Sequence, residues 1–257
     1  MPNWCTNRLI VIEEGDGAEL QKFVESITLP EDHEDQHDLT LPYPTPEILL
    51  GTRSPRQTVE QVEEMRTRRD AGEMQAGDKY VGEIHEPTGS WCTDKYLQEQ
   101  LDQIEQGEKA EKETGFTNWY DWNITHWSTK WSPDVHQVLV DAGDDLSSVT
   151  VCYQTPWGPA EGLILRLSEL NPSLSFVESY IEEGMCFWGS NVYIKGYQRH
   201  HNYSEKDTVM DELQEQYGEA SADEDEEGRV MDAITGRWQE LMERAEQDGL
   251  AIAAVLS

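Results

Sequence analysis

The stretch Asn7–Glu13, NRLIVIE, places apolar side chains at consecutive positions. A strand with no polar face must be covered on both sides, so it is predicted to be central in a sheet. A turn at EGDG leads into residues 16–27, where Leu20, Phe23, Val24 and Ile27 recur at helical spacing and Asp16 is a candidate N-cap. From Thr28 to Thr117 the pattern changes. LPEDHEDQHD reads as loop, and Pro42, Pro44 and Pro46 break the next segment. RQTVEQVEEMRTRRDAGEM reads as an exposed helix ending near Gly72, and DKYLQEQLDQIEQGEKAEKE as another, with Tyr96, Leu97, Leu101 and Ile104 on one stripe.

Regular alternation then returns. NWYDWNITHW reads as a short helix capped by Asn118, with Asp121 in its first turn. Trp119, Trp122 and His126 share one side of it, and Tyr120, Ile124 and Trp127 another. KWSPDVHQVLV predicts a strand after Pro133, DAGDD a turn, and SSVTVCYQTPW a second strand. GPAEGLILRLSELNP predicts a helix with Leu163, Leu165, Leu167 and Leu170 inside, ended by Asn171 and Pro172. SLSFVESYI and SNVYIKGY read as two more strands, joined through EEGMCFWG.

The predicted order is β-α-(insertion)-β-β-α-β-β. Without the insertion and the last strand it is the β-α-β-β-α-β motif of the ferredoxin-like fold. The expected architecture is therefore α+β, a ferredoxin-like antiparallel sheet with an extra strand, a helical insertion after the first helix and a helical tail. The expected parts are residues 1–27 (first strand and helix), 28–117 (acidic insertion), 118–200 (remainder of the body) and 201–257 (acidic tail). The tail reads as a helix from Ser204 as cap, an acidic link SADEDEEG, and a second helix with Val230, Ile234, Trp238, Leu241 and Ala245 near one face. The closing LAIAAVLS is expected to dock on the body or to meet another copy, which would make the tail a route to a homo-oligomer. Because the strand set closes by Gly196, a chain cut before Asn202 is expected to fold.

Charge narrows the function. The 52 acids against 19 bases give a formal charge of −33, which repels phosphate backbones and anionic membranes, so neither nucleic acid nor membrane is expected as a partner. The acid is spread along the chain, and only Val151 to His200 is nearly balanced. With lysine scarce, this suggests a protein working in high salt. No apolar run is long enough to span a bilayer, and MPNWCTNRL lacks the form of a secretory leader, so a cytoplasmic location is expected. Cys5, Cys92, Cys152 and Cys186 are widely spaced, as buried free thiols of a reducing compartment would be.

Four of the nine tryptophans fall between Asn118 and Trp131. A ligand platform would use Trp119, Trp122, Trp127 and Trp131, with Asn118, Asp121 and Lys130 supplying hydrogen bonds. Dense core is the preferred alternative, with the rings locking the insertion onto the sheet and Trp4 and Trp157 nearby, because aromatics at helical spacing are usually buried; the four rings are expected to be mainly structural. Metal signals are weak: His33 and His37 lie in a loop-like context, and His85 with Cys92, and His200 with His201, complete no ligand set. No cofactor, metal or catalytic residue is assigned. Cys5 and Cys152, on neighbouring strands, read as packing thiols, and nothing places Glu182 and Glu183 beside Asp121 as a carboxylate pair.

MPNWCTNRLIV, LPYPTPEILLGTRS, NWYDWNITHWSTKW and the later YQTPWGP, NPSLSF and YIEEGMCFWG together resemble the YubB-like family of plasmid and phage proteins. The likeness runs in order through most of Met1 to Gly196. It implies a ferredoxin-like domain and a mobile-element setting, and it implies no mechanism. The leading expectation is a non-enzymatic accessory protein that binds a host or viral protein. The alternatives are a nucleotide or small-ligand binder, or an enzyme, using the Trp-rich segment as its pocket, and an acidic DNA-mimic inhibitor of a nuclease.

Overall fold

The computed structural model describes residues 3–73, 92–141, 147–182 and 187–205, and within the last helix 240, 243–244 and 246–255. Its elements, in chain order, are β1 (Trp4–Glu13), α1 (Ala18–Ser26), α2 (Glu47–Leu50), α3 (Val59–Asp70), α4 (Asp94–Thr114), α5 (Trp119–Trp127), β2 (Asp134–Asp141), β3 (Ser147–Pro156), α6 (Glu161–Leu170), β4 (Ser175–Glu182), β5 (Phe187–Ile194) and β6 (Tyr197–Glu205). The described chain divides into two compact units, Met1–Pro44 with Asn123–Ser257, and Thr45–Trp122.

The first unit holds a six-stranded sheet in the order β2-β3-β1-β4-β5-β6. Every neighbouring pair is antiparallel. Its first four positions, with α1 and α6 as the two connecting helices, are the ferredoxin-like arrangement, and β5 and β6 extend it at one edge. β1 lies between β3 and β4, as a strand without a polar face requires. Its odd positions, Leu9 and Val11 among them, face the α1 and α6 side, where Phe23 meets Phe176 edge to face at 5.6 Å. Its even positions face the C-terminal helix (residues 246–255). There Ile10, Val177, Val192 and Ile194 form one cluster with Ala253, Leu250 and Ile252. Arg8 pairs with Glu246 across this contact at 2.8 Å.

Several local expectations change. Gly17, at φ 83°, is the N-cap of α1, a left-handed position that favours glycine. The carboxylate of Glu13 accepts the Leu20 N–H at 2.9 Å, and Asp16 only reaches the Ala18 N–H. In α6 the buried residues are Leu163, Ile164, Leu167 and Ser168, whereas Leu165 is half-buried and Leu170 exposed. The segment SNVYIKGY is two strands rather than one. Lys195 and Gly196, both at positive φ, turn β5 into β6. β6 therefore runs through Ser204, which is a strand residue and not a helix cap. The closing apolar segment docks on the body, so a cut before Asn202 would remove strand residues and a covering helix together. The rest of the expected tail helices, with Val230, Ile234, Trp238, Leu241 and Ala245, and also His85, Glu183 and Cys186, lie outside the described residues.

Residues 28–44, expected within the insertion, cluster with the sheet unit. Thr28 bridges His37, the Asp38 N–H donates to the Ile27 carbonyl at 2.8 Å, and Leu39 is buried. Asn118–Trp122 cluster with the helical unit. That unit packs α3 on α4 through Val62, Met65, Cys92, Leu97 and Ile104, with Tyr96 and Leu101 beside them. α3 is thus buried on one face rather than exposed. Thr58 gives it a reciprocal capping box with Gln61. Among the described residues, no helix is long and apolar enough to cross a membrane.

Candidate functional site

The seven residues proposed from the sequence as a platform fall on both units, and each unit is described separately. In the helical unit, Asn118 caps α5: its side-chain oxygen accepts the Asp121 N–H at 2.9 Å, and its amide donates to the Asp121 carboxylate at 2.8 Å. The Trp119 N–H donates to Thr52 Oγ1 at 3.0 Å, and its ring meets Tyr120 edge to face. Trp122 is buried. These contacts organise a helix start.

In the sheet unit, Trp127 is buried, and its indole N–H donates to the Tyr43 carbonyl at 3.1 Å. Tyr43 also holds His126 through its hydroxyl at 2.9 Å and carries the Arg166 guanidinium over its ring at 5.0 Å. Gly162 of α6 lies so close to the His126 carbonyl that a Cβ would sit 2.7 Å from it. Trp127 is therefore structural, as expected.

Trp131 departs from that expectation. It is 40% exposed, alongside Trp4 at 43% and Trp157 at 43%. Trp4 opens β1 and pairs with Pro156 at the end of β3, Trp157 follows β3, and Trp131 lies shortly before β2, so one end of the sheet carries all three. The Trp4 and Trp131 rings are 6.5 Å apart. The Lys130 ammonium lies 4.3 Å from the Trp131 ring and 5.5 Å from the Trp157 ring, inside cation–π range for both.

The backbone under this cluster is held firmly. The Trp157 N–H donates to the Asn3 carbonyl at 2.9 Å. Thr155 Oγ1 donates to the Gly158 carbonyl and accepts from the buried Asn7 amide at 2.8 Å. The Asn123 amide donates to the Lys130 carbonyl at 2.9 Å. Trp157 sits at φ 66°, an unfavourable region for a bulky side chain, and such strain concentrates at functional sites. Sequence reasoning set Trp4 and Trp157 near the Trp-rich segment as packing rings, and did not assign them to an exposed group. Both were visible as rings flanking strands, but only the β1–β3 register brings them to Trp131.

A second polar feature lies under α6. Glu178 of β4 is fully buried. It accepts from the Tyr153 hydroxyl at 2.6 Å, the Asn191 amide at 3.2 Å and the Tyr193 hydroxyl at 3.4 Å. The Asn191 amide also donates to Glu161 at 3.1 Å, and its oxygen meets His201 Nδ1 at 2.7 Å. Burial raises the Glu178 carboxyl to about 7, against the opposing pull of the Tyr153 and Asn191 hydrogen bonds. Burial, then Glu178 and Glu182, push the Cys5 thiol far up, which makes it a packing group rather than a nucleophile. Cys152 sits opposite Arg8, on the other face of the sheet from Cys5.

The raised Glu178 has a definite pH signature. Between the ordinary carboxyl value of 4.5 and about 7, the folded state holds a proton that the unfolded state has lost. Stability from this group is therefore full below 4.5 and is lost as pH rises towards 7, by about 3 kcal/mol in all. The difference in unfolding free energy between wild type and Glu178→Gln should fall across that window and stay level above it. Urea melts at several pH values check this, and a difference independent of pH would show that the carboxyl ionises normally.

Other groups do not gather. Among the described residues, no three His, Cys, Asp or Glu side chains form a set able to hold a metal ion. Asp121 belongs to the other unit from Glu182. A cavity of about 640 Å³ beside the C-terminal helix is lined by Ile12, Leu174, Ile194 and Leu250, and by both Glu14 and Lys195, so it selects no ligand charge.

Residues 135–233 match the model of a family described as a ferredoxin-like domain in Api92-like protein. Among solved structures, a crystal structure of a protein api92 from Yersinia pseudotuberculosis is similar, with 11% sequence identity, a match covering 80% of this chain and 98% of that one, and a TM-score of 0.33. No curated protein matches the chain.

Proposed function

We propose that this is a non-enzymatic accessory protein that binds a protein partner through the exposed tryptophans Trp4, Trp131 and Trp157. The observation that carries this reading is three large, half-exposed rings held together on a stiff sheet end. Rigid aromatic side chains lose little conformational entropy on binding and dominate interface energetics, with Trp among the most enriched residues at hot spots. A surface of this charge favours a basic partner. The finer reading places the protein with the YubB-like proteins of plasmids and phages, in the cytoplasm of a salt-adapted cell. The spread of acid along the chain and the free cysteines support that setting.

A second reading has one observation in its favour. Lys130 beside the rings could hold the phosphate of a nucleotide whose base stacks on Trp131.

The test uses the whole protein as bait. Wild type and the Trp131→Ala/Trp157→Ala double variant, each shown to be folded by circular dichroism, are compared in lysate at matched salt. A partner retained by wild type and lost by the double variant supports the reading. Equal capture by both removes the tryptophans from recognition.

A further inference from the structure

We infer that Trp131 and Trp157, flanked by Trp4, form an aromatic cage for a cationic side chain, a lysine or arginine of the partner, and that Lys130 is its resident occupant. This rests on the binding role proposed above and specifies the group recognised. The ring faces carry the negative lobe of the aromatic quadrupole, so a cation within about 6 Å of the centroid is attracted. One ammonium already satisfies that condition at both Trp131 and Trp157. The geometry is thus suited to a cation, and the chain supplies one itself.

The surrounding charge selects the same sign. The stretches that build the cluster, residues 3–5, 128–134 and 155–158, contain no base except Lys130. Asp134 begins β2 three residues after Trp131, and the Asp38 carboxylate accepts from the hydroxyl of Ser132, next to Trp131, at 2.8 Å. The formal charge of −33 draws cations towards the whole surface and repels a nucleotide phosphate. An incoming basic side chain competes with Lys130 for the rings. The Lys130 backbone is anchored apart from the rings, its carbonyl accepting from the Asn123 amide at 2.9 Å. Self-occupancy lowers the affinity for an external cation.

The sign of the Lys130 effect tests the idea. Wild type, Lys130→Gln and Trp131→Ala are titrated at fixed ionic strength with Nα-acetyl-arginine amide, with tetramethylammonium and, separately, with adenosine monophosphate. The readout is the indole N–H chemical shift. Glutamine keeps the first half of the lysine stem and removes the charge, and the indole spectrum itself reports whether the fold is intact. Removing the resident cation should tighten both cations about two- to fivefold, the competition expected of one exposed cation–π contact. Trp131→Ala should weaken them. An affinity in Lys130→Gln equal to or below that of wild type overturns the cage. So does saturable nucleotide binding that Lys130→Gln abolishes, which would assign the site to an anion. Neither result bears on whether the tryptophan double variant loses its protein partner, so failure of the cage is distinguishable from failure of the binding role.

Discussion

A chain ending at residue 239 is expected to be insoluble, or to melt without a cooperative transition. The helix it lacks covers Ile10, Val177, Val192 and Ile194 on the second face of the sheet. Re-exposing four such side chains costs roughly 1.5–3 kcal/mol each. The sum rivals the roughly 5–15 kcal/mol by which a whole domain is stable. The bared face would also be a contiguous apolar patch on a sheet, a strong aggregation hazard. Gly249→Leu weakens the same contact by a smaller change, because a Cβ at Gly249 would lie 2.6 Å from Val177 Cγ1. That variant should lose about 1–3 kcal/mol through overpacking. Size-exclusion chromatography and thermal melts by circular dichroism test both. A truncated chain that stays monomeric and melts within a few degrees of the full chain would mean that the helix contributes little.

Trp127→Ala should cost about 3–5 kcal/mol, and Trp131→Ala about 1 kcal/mol or less, although the two lie in one short segment. Trp127 is 4% exposed, and its indole N–H donates to the Tyr43 carbonyl, so truncation leaves a cavity and removes that hydrogen bond. Trp131 is largely a surface ring whose removal forfeits one exposed cation–π contact and part of its contact with Trp4. Denaturant melts at constant salt separate the two. Equal losses would place Trp131 in the core and withdraw it from recognition.

Local patterns were legible where burial and periodicity agree. β1 reads as central because a run such as Leu9–Ile12 leaves no side for water; β3 and β4 do flank it, and helices cover both of its faces. Asn118 reads as a cap because a short polar side chain before an apolar helix has few other uses, and it does accept the Asp121 N–H. β6 was not legible. YQRHHNYSE is polar throughout, since an edge strand can expose both of its faces, and so it carries neither alternation nor an apolar run. Its turn uses Lys195 where asparagine or aspartate is the usual signal. Glu178 was visible as one acid within an apolar strand, SFVESYI, but the hydroxyls that receive it come from β3 and β5.

The chain's own pattern determined the succession of β1 to β5 with α1 and α6, the ferredoxin-like class and the sign of its field, because each is a sum over local preferences or over charges that no fold can remove. Tertiary structure decided which tryptophans are core and which are surface. Helical spacing ranks the rings only relative to one another, and the partners that bury Trp127 or gather Trp4 and Trp157 beside Trp131 come from distant segments. It also decided the role of the closing LAIAAVLS. An apolar stripe requires a cover but does not specify which one, and here the requirement is met by the sheet face that α1 and α6 leave open.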